Sequence, residues 1–168
     1  MAKPAPEFSS MLNVLVEHEV EFIIVGGISA VLHGAPISTF DLDVLYRPSP
    51  ENAARSVAAL EEMQAVYRGR MGQVLKPQAS WLLGGGHHLF RTALGDLDFL
   101  SFVGEQHKYD DLLPLSEQHV VASLCVQMLS LEAIVKIAHE TGRDKDRLRI
   151  PIYEAMIHRE SPGSSDQT

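Results

Sequence analysis

The sequence predicts an α/β fold, a mixed β-sheet flanked by helices with further helices toward the C-terminal end, and three observations predict it. A short, uniformly apolar run at Phe22–Val25 breaks at Gly26-Gly27 into a segment of helical length. A second run, residues 41–46, alternates two aspartates with apolar residues at the period of a strand. Leu131, Ile134, Val135 and Ala138 then recur at the period of a helix.

Taken in order, residues 1–7 hold two prolines and little apolar material and read as a loose lead-in. Ser9 or Ser10 caps a helix whose core positions are Met11, Leu12, Val14 and Leu15 and which ends near His18. The strand at 22–25 is β-branched and apolar throughout, as expected where both faces are covered. Ile28 to His33 makes two helical turns, closed by Gly34 and blocked by Pro36, and His33 reads as structural. The strand at 41–46 ends at Arg47-Pro48. Ser49 caps a helix from about 50 to 63 with Ala54, Val57, Ala58 and Leu60 as its buried stripe.

Residues 68–86 carry no clear period, and Gly84-Gly85-Gly86 reads as a flexible turn rather than a phosphate loop. His87 and His88, adjacent on an extended segment, face opposite ways and do not share an ion. A hairpin turn is expected at Gly95-Asp96, returning as the strand LDFLSFV. A helix over 109–113 and short strands near 119–122 and 125–128 give the sheet an edge. Ser130 caps a helix, Gly142 interrupts it, and a last helix spans 144–158 with Pro151 starting, stopping or kinking it. The layout is one domain, with a core of about 8–129, a helical segment of about 130–159 and a disordered tail at 160–168.

The chemistry sits between residues 22 and 46. Asp41 and Asp43 project from one face of a strand while Leu42 and Val44 point into the core. Two carboxylates held side by side call for a cation, and oxygen-only ligands select magnesium or manganese rather than zinc. Gly26-Gly27, leading from strand into helix with Ser29 as a further hydroxyl, is a candidate phosphate cradle. Asp98, midway along an apolar strand, is costly without a partner and is the candidate third ligand. Asp96 has the same parity, but the expected turn accounts for it.

A net charge of −8 over 168 residues argues against an extended DNA-binding surface and favours a nucleotide-sized ligand. The single cysteine, Cys125, excludes an intramolecular disulfide and reads as a buried reduced thiol. No apolar run reaches membrane-spanning length and no signal-peptide pattern precedes the first helix, so a cytoplasmic protein without membrane contact is expected.

VGG, thirteen residues, DLDV and a separate LDFL strand together resemble the nucleotidyltransferase superfamily, whose palm-like core is shared with DNA polymerase beta. Within it the chain looks like the small bacterial and archaeal members, with His33-Gly34, Thr39 and the run LSLEAIVKIAHETGRDKD matching over residues 20–150. The resemblance implies transfer of a nucleoside monophosphate from a nucleoside triphosphate to a hydroxyl or amine, with release of pyrophosphate. Asp41, Asp43 and Asp98 would then be catalytic and bind two magnesium ions, with manganese as a substitute. Gly26, Gly27, Ser29, Thr39 and Lys136 would bind the nucleotide. Arg143, Lys145 and Asp146 belong either to that site or to a solvated helix end. The acceptor is open between a small molecule, an RNA end and a protein. The active enzyme could be the toxin of a toxin–antitoxin pair, with an antitoxin or a second copy as partner; a catalytically silent relative binding a nucleotide or a partner protein, and a plain α/β scaffold, are the competing readings.

Overall fold

The structure, a computed structural model, describes residues 6–160. Among these residues one seven-stranded mixed sheet runs in the order β3-β4-β5-β2-β1-β7-β6. The strands are β1 (Phe22–Val25), β2 (Asp41–Tyr46), β3 (Val66–Tyr67), β4 (His87–Thr92), β5 (Gly95–Leu100), β6 (Ser116–Val121) and β7 (Leu124–Leu129). β2 pairs antiparallel with β1 and parallel with β5, and β1 pairs parallel with β7.

Strand parity splits the core into two layers. Ile24, Leu42, Val44, Tyr46, Leu97 and Phe99 face α1 (Phe8–Glu17) and α3 (Pro50–Glu62). Ile23, Val25 and Leu45 face the other way, packing with α6 (Leu131–Thr141), α7 (Asp144–Glu160) and α5 (Tyr109–Leu112). Asp41 and Asp43 share the parity of Leu45 and therefore open onto the α6–α7 side.

β1 and β2 fall on the expected residues, while several neighbouring elements are shifted, each for a local reason. α1 begins at Phe8 with Glu7 ahead of it, because the Glu7 N–H is tied to the Leu94 carbonyl at 2.8 Å; Ser9 and Ser10 lie inside the helix, and Ser10 donates to the Glu7 carboxylate. α2 (Gly26–Leu32) starts at the glycines themselves and ends at His33. α3 has the expected Ser49 cap, but its buried face is Asn52, Ala53, Ser56, Ala59 and Leu60, leaving Ala54 and Ala58 exposed. Asn52 rotates the helix by donating to the Glu21 and Arg47 carbonyls and accepting from the Glu21 N–H.

The β4–β5 turn lies at Ala93-Leu94, ahead of the expected Gly95-Asp96, since Thr92 pairs directly with Gly95. The Thr92 hydroxyl holds it, donating to the Gly95 carbonyl and accepting from the Leu94 N–H. Asp96 is thus a strand residue. The 68–86 region adds α4 (Ala79–Leu83), with Gly84–Gly86 as the turn after it. His87 is exposed and His88 buried, as alternation requires. A 3-10 turn at Leu113–Leu115 leads into β6, and β6 and β7 form a longer hairpin than expected. Cys125 is exposed rather than buried, because Val126 and Met128 take the core-facing parity of β7. α7 runs through Pro151, so Pro151 neither starts nor stops it. No helix among the described residues is long and apolar enough to cross a membrane. The expected disordered tail falls almost wholly outside the described residues.

Candidate active site

The parallel register of β2 and β5 sets Asp41 opposite Asp96 and Asp43 opposite Asp98. Neighbouring strands lie about 4.8 Å apart, so residues in register on one face become neighbours. The structure therefore brings the three expected aspartates together and adds Asp96, which the turn no longer explains. The Asp96 side chain is 6% exposed and the Asp98 side chain 15%.

Crowding shows in the ionisation of the group at the centre. Burial, then the charges of Asp98 and Asp41, pushes the Asp43 carboxyl up to about 7. Asp98 is also raised, by burial first, against the opposing charge of Arg68. Arg68 is the residue that makes the cluster tolerable. Its guanidinium pairs with Asp98, donates to Asp96 at 3.0 Å and lies 3.9 Å from Asp41. A basic group from just beyond β3 has been drawn among the carboxylates as a stand-in cation. That, and a donor set made only of carboxylate oxygens, fits hard divalent cations such as magnesium or manganese at Asp41, Asp43 and Asp98.

The glycine corner is built against the same aspartate, since Val25 pairs with Asp43. Gly26 has φ +67°, and a Cβ there would fall 2.8 Å from Asp43 Cγ and 2.9 Å from its Cβ. Both the left-handed backbone and the carboxylate exclude a side chain. Gly26→Ala is expected to cost about 1–2 kcal/mol for the backbone alone and to push the Asp43 carboxylate out of register. Thermal melting and a divalent-cation titration check it; an unshifted melt with unchanged cation affinity would contradict the packing argument.

Gly27 is buried and bounded differently. A Cβ there would meet Arg149 Nη1 and Thr39 Oγ1, each at 3.1 Å, so the glycine leaves a floor between a guanidinium and a hydroxyl. Arg149 reaches this spot from α7 and donates to the Ser38 carbonyl at 3.2 Å. Lys145, one helical turn earlier, is the lysine whose charge is felt by Asp43. Lys136 is exposed and its charge acts on Glu140. The Ser29 hydroxyl is fully buried and donates to the Gly26 carbonyl at 2.6 Å, so it braces the turn rather than facing a ligand. Arg143 pairs with Asp146, which also accepts from Thr141, and these two belong to the helix end. A cavity of about 500 Å³ lined by Ser10, Asn13, Glu62, Met63 and Ala122 includes none of these groups.

Reasoning from sequence set Asp96 aside as a turn residue and missed Arg68 and Arg149. Arg149 carried a signal, lying four residues after Lys145 and hence on the same helical face. Arg68 carried none.

No protein-family model matches the chain, and no curated protein matches it. Solved structures do. The antibiotic-resistance factor ANT(2'')-Ia is 13% identical, with 91% of this chain and 83% of that one covered, at a TM-score of 0.59. The lincosamide antibiotic adenylyltransferase LnuA, solved with lincomycin bound, is 11% identical over 92% and 99%, at 0.60. TM1012 of Thermotoga maritima, a protein assigned as a nucleotidyltransferase, is 13% identical over 88% and 90%, at 0.55. The paired aspartates of β2, the neighbouring strand that returns Asp98 to them, and these structural neighbours agree: the chain has the nucleotidyltransferase fold.

Proposed function

We propose that this protein transfers a nucleoside monophosphate from a nucleoside triphosphate to a hydroxyl or amine on a small-molecule acceptor. The observation that carries the reading is the convergence of Asp41, Asp43 and Asp98 beside the Gly26-Gly27 corner, with Arg149 and Lys145 reaching the same place. A fold shared with an antibiotic-resistance factor and with a lincosamide antibiotic adenylyltransferase supports the small acceptor.

Asp41, Asp43 and Asp98 would hold the divalent cations, magnesium or manganese. When bound, such ions neutralise phosphate charge and lower the pKa of an attacking hydroxyl. The remaining work falls to the chain itself. Gly27 lets phosphate oxygens approach the backbone, and Thr39 offers a hydroxyl donor at its edge. Arg149 supplies a planar fork suited to phosphate oxygens, and Lys145 a mobile point charge. Both add positive charge where pyrophosphate must leave. Arg68 braces Asp98 and Asp96 from the β3 side of the cluster.

Calorimetric titration with each triphosphate, with and without magnesium or manganese, tests the reading, and Asp43→Ala is the control. Binding that requires metal and disappears in the variant supports it. Absence of metal-dependent triphosphate binding in the parent overturns it. Binding without pyrophosphate release in the presence of cell extract identifies the silent relative instead. Labelled triphosphate in that extract then separates the acceptor classes by where the label goes. Transfer to small molecules is the result expected here; label on RNA or protein would point to the toxin reading.

Arg149→Ala is expected to weaken triphosphate binding by about 10- to 100-fold, the worth of one or two charge-assisted hydrogen bonds. The melting temperature should fall only modestly, since Arg149 donates to the Ser38 carbonyl at 3.2 Å and also hydrogen-bonds the buried Tyr153 hydroxyl. Triphosphate affinity equal to that of the parent would remove Arg149 from the site.

A further inference from the structure

The carboxylate cluster leaves unexplained a second group of ligating side chains, at the far edge of the sheet. His33 ends α2, while Glu117 and His119 stand two residues apart on β6, the edge strand, and so project from one face. One ligand atom from each lies within 4.8 Å of the others. We propose that His33, Glu117 and His119 form a site for a transition-metal dication, zinc foremost, that clips the C-terminal end of α2 to β6.

Three observations carry this. First, His33 is held as a metal-binding histidine is usually held. Its Nε2 donates to the Leu129 carbonyl at 2.8 Å, which fixes the ring and leaves the Nδ1 lone pair for coordination. Second, spacing within the group already suits a small ion. Zinc–ligand bonds of about 2.0–2.1 Å place tetrahedral ligands about 3.3 Å apart, and His119 Nε2 sits 3.2 Å from Glu117 Oε2. The metal would replace the proton shared by that pair. The two imidazoles meet edge to face at 81°, centroids 5.2 Å apart, so their donors converge without stacking. Third, the ligand chemistry is distinct from that of the aspartates. Two imidazoles and one carboxylate suit zinc, nickel or copper, whereas the all-oxygen set suits magnesium.

The site has a structural use. Among the described residues β6 has only β7 beside it, and it carries Val120 at 77% exposure. Tying it to α2 ties it to the helix that starts at the Gly26-Gly27 corner. His119 and Glu117 side chains are 34% and 56% exposed, so water can complete the coordination.

The test is a cobalt(II) titration of the full chain, purified without a polyhistidine tag and in saturating magnesium to fill the aspartate cluster, read from visible absorption. Saturation at one ion per chain with a tetrahedral spectrum, displaced by zinc, is expected. His119→Ala and Glu117→Gln should each weaken cobalt binding at least tenfold while leaving the metal-free melting temperature unchanged. Zinc should raise the melting temperature of the parent and not that of His119→Ala. His33→Ala is a poorer test because it also removes the bond to Leu129. Failure to saturate at one equivalent, or the same spectrum and affinity in both variants, overturns the proposal. Neither result bears on triphosphate binding at the aspartates.

Discussion

Asp43→Asn is expected to lower nucleotidyl transfer by about 10³-fold or more while raising the melting temperature of the metal-free protein. Loss of a group acting on developing charge typically costs that much. The gain in stability follows from where Asp43 sits. Folding presses it between Asp41 and Asp98, so burial and like charge raise its pKa to about 7. A carboxyl whose pKa rises on folding binds its proton more tightly in the native state. Its contribution is therefore fully present below pH about 4 and is lost as pH climbs through about 7. An amide carries no such penalty. At pH 8 and without metal, the variant should exceed the parent by on the order of 1–3 kcal/mol, a shift of about 2–12 °C, and the two should converge near pH 4. Adding magnesium or manganese should stabilise the parent more than the variant. Differential scanning calorimetry over pH 4–8 measures this. If the Asp43→Asn variant melted below the parent at pH 8, the electrostatic description of the cluster would be wrong.

That trade between activity and stability explains which parts of the molecule were legible in the sequence. β1 is uniformly apolar and β2 alternates, so both register with the core and fall on the expected residues. Asp41, Asp43 and Asp98 stood out because a carboxylate is expensive beside Leu42, Val44 and Phe99. What was hidden was non-local. The Gly95-Asp96 turn signal yielded to Thr92, whose hydroxyl closes the hairpin two residues earlier, and with that shift Asp96 joined the site. The stripe of α3 moved because Asn52 is buried to satisfy backbone groups of Glu21 and Arg47, a demand invisible in the helix's own apolar pattern. Lys136 fell at the expected helix spacing, but only the folded chain shows that it is Lys145 and Arg149 that lean toward the glycine corner. Arg68, in a stretch without periodicity, could be assigned a partner only once β4 and β5 had brought it there.

Arg68→Ala should be the most destabilising single change near the site, and its effect should depend on metal. The guanidinium is the principal positive charge among Asp41, Asp96 and Asp98, with 20% of its side chain exposed. Removing one member of a buried ionic group leaves its partners uncompensated, which costs several kcal/mol when burial is complete. Partial exposure reduces this to about 2–3 kcal/mol, or about 4–12 °C in melting temperature for a domain of this size. A cation bound by Asp41, Asp43 and Asp98 would supply the missing charge. Manganese should therefore narrow the gap between variant and parent, and it should bind the variant at least as tightly, since no guanidinium competes for Asp98. Arg68→Lys keeps the charge but loses the fork that spans Asp96 and Asp98, and should fall between the two. Should the alanine variant melt with the parent, Arg68 is a spectator at the surface of the cluster. Should its deficit persist at saturating manganese, Arg68 serves the β4–β5 packing and the carboxylates do not hold the cation.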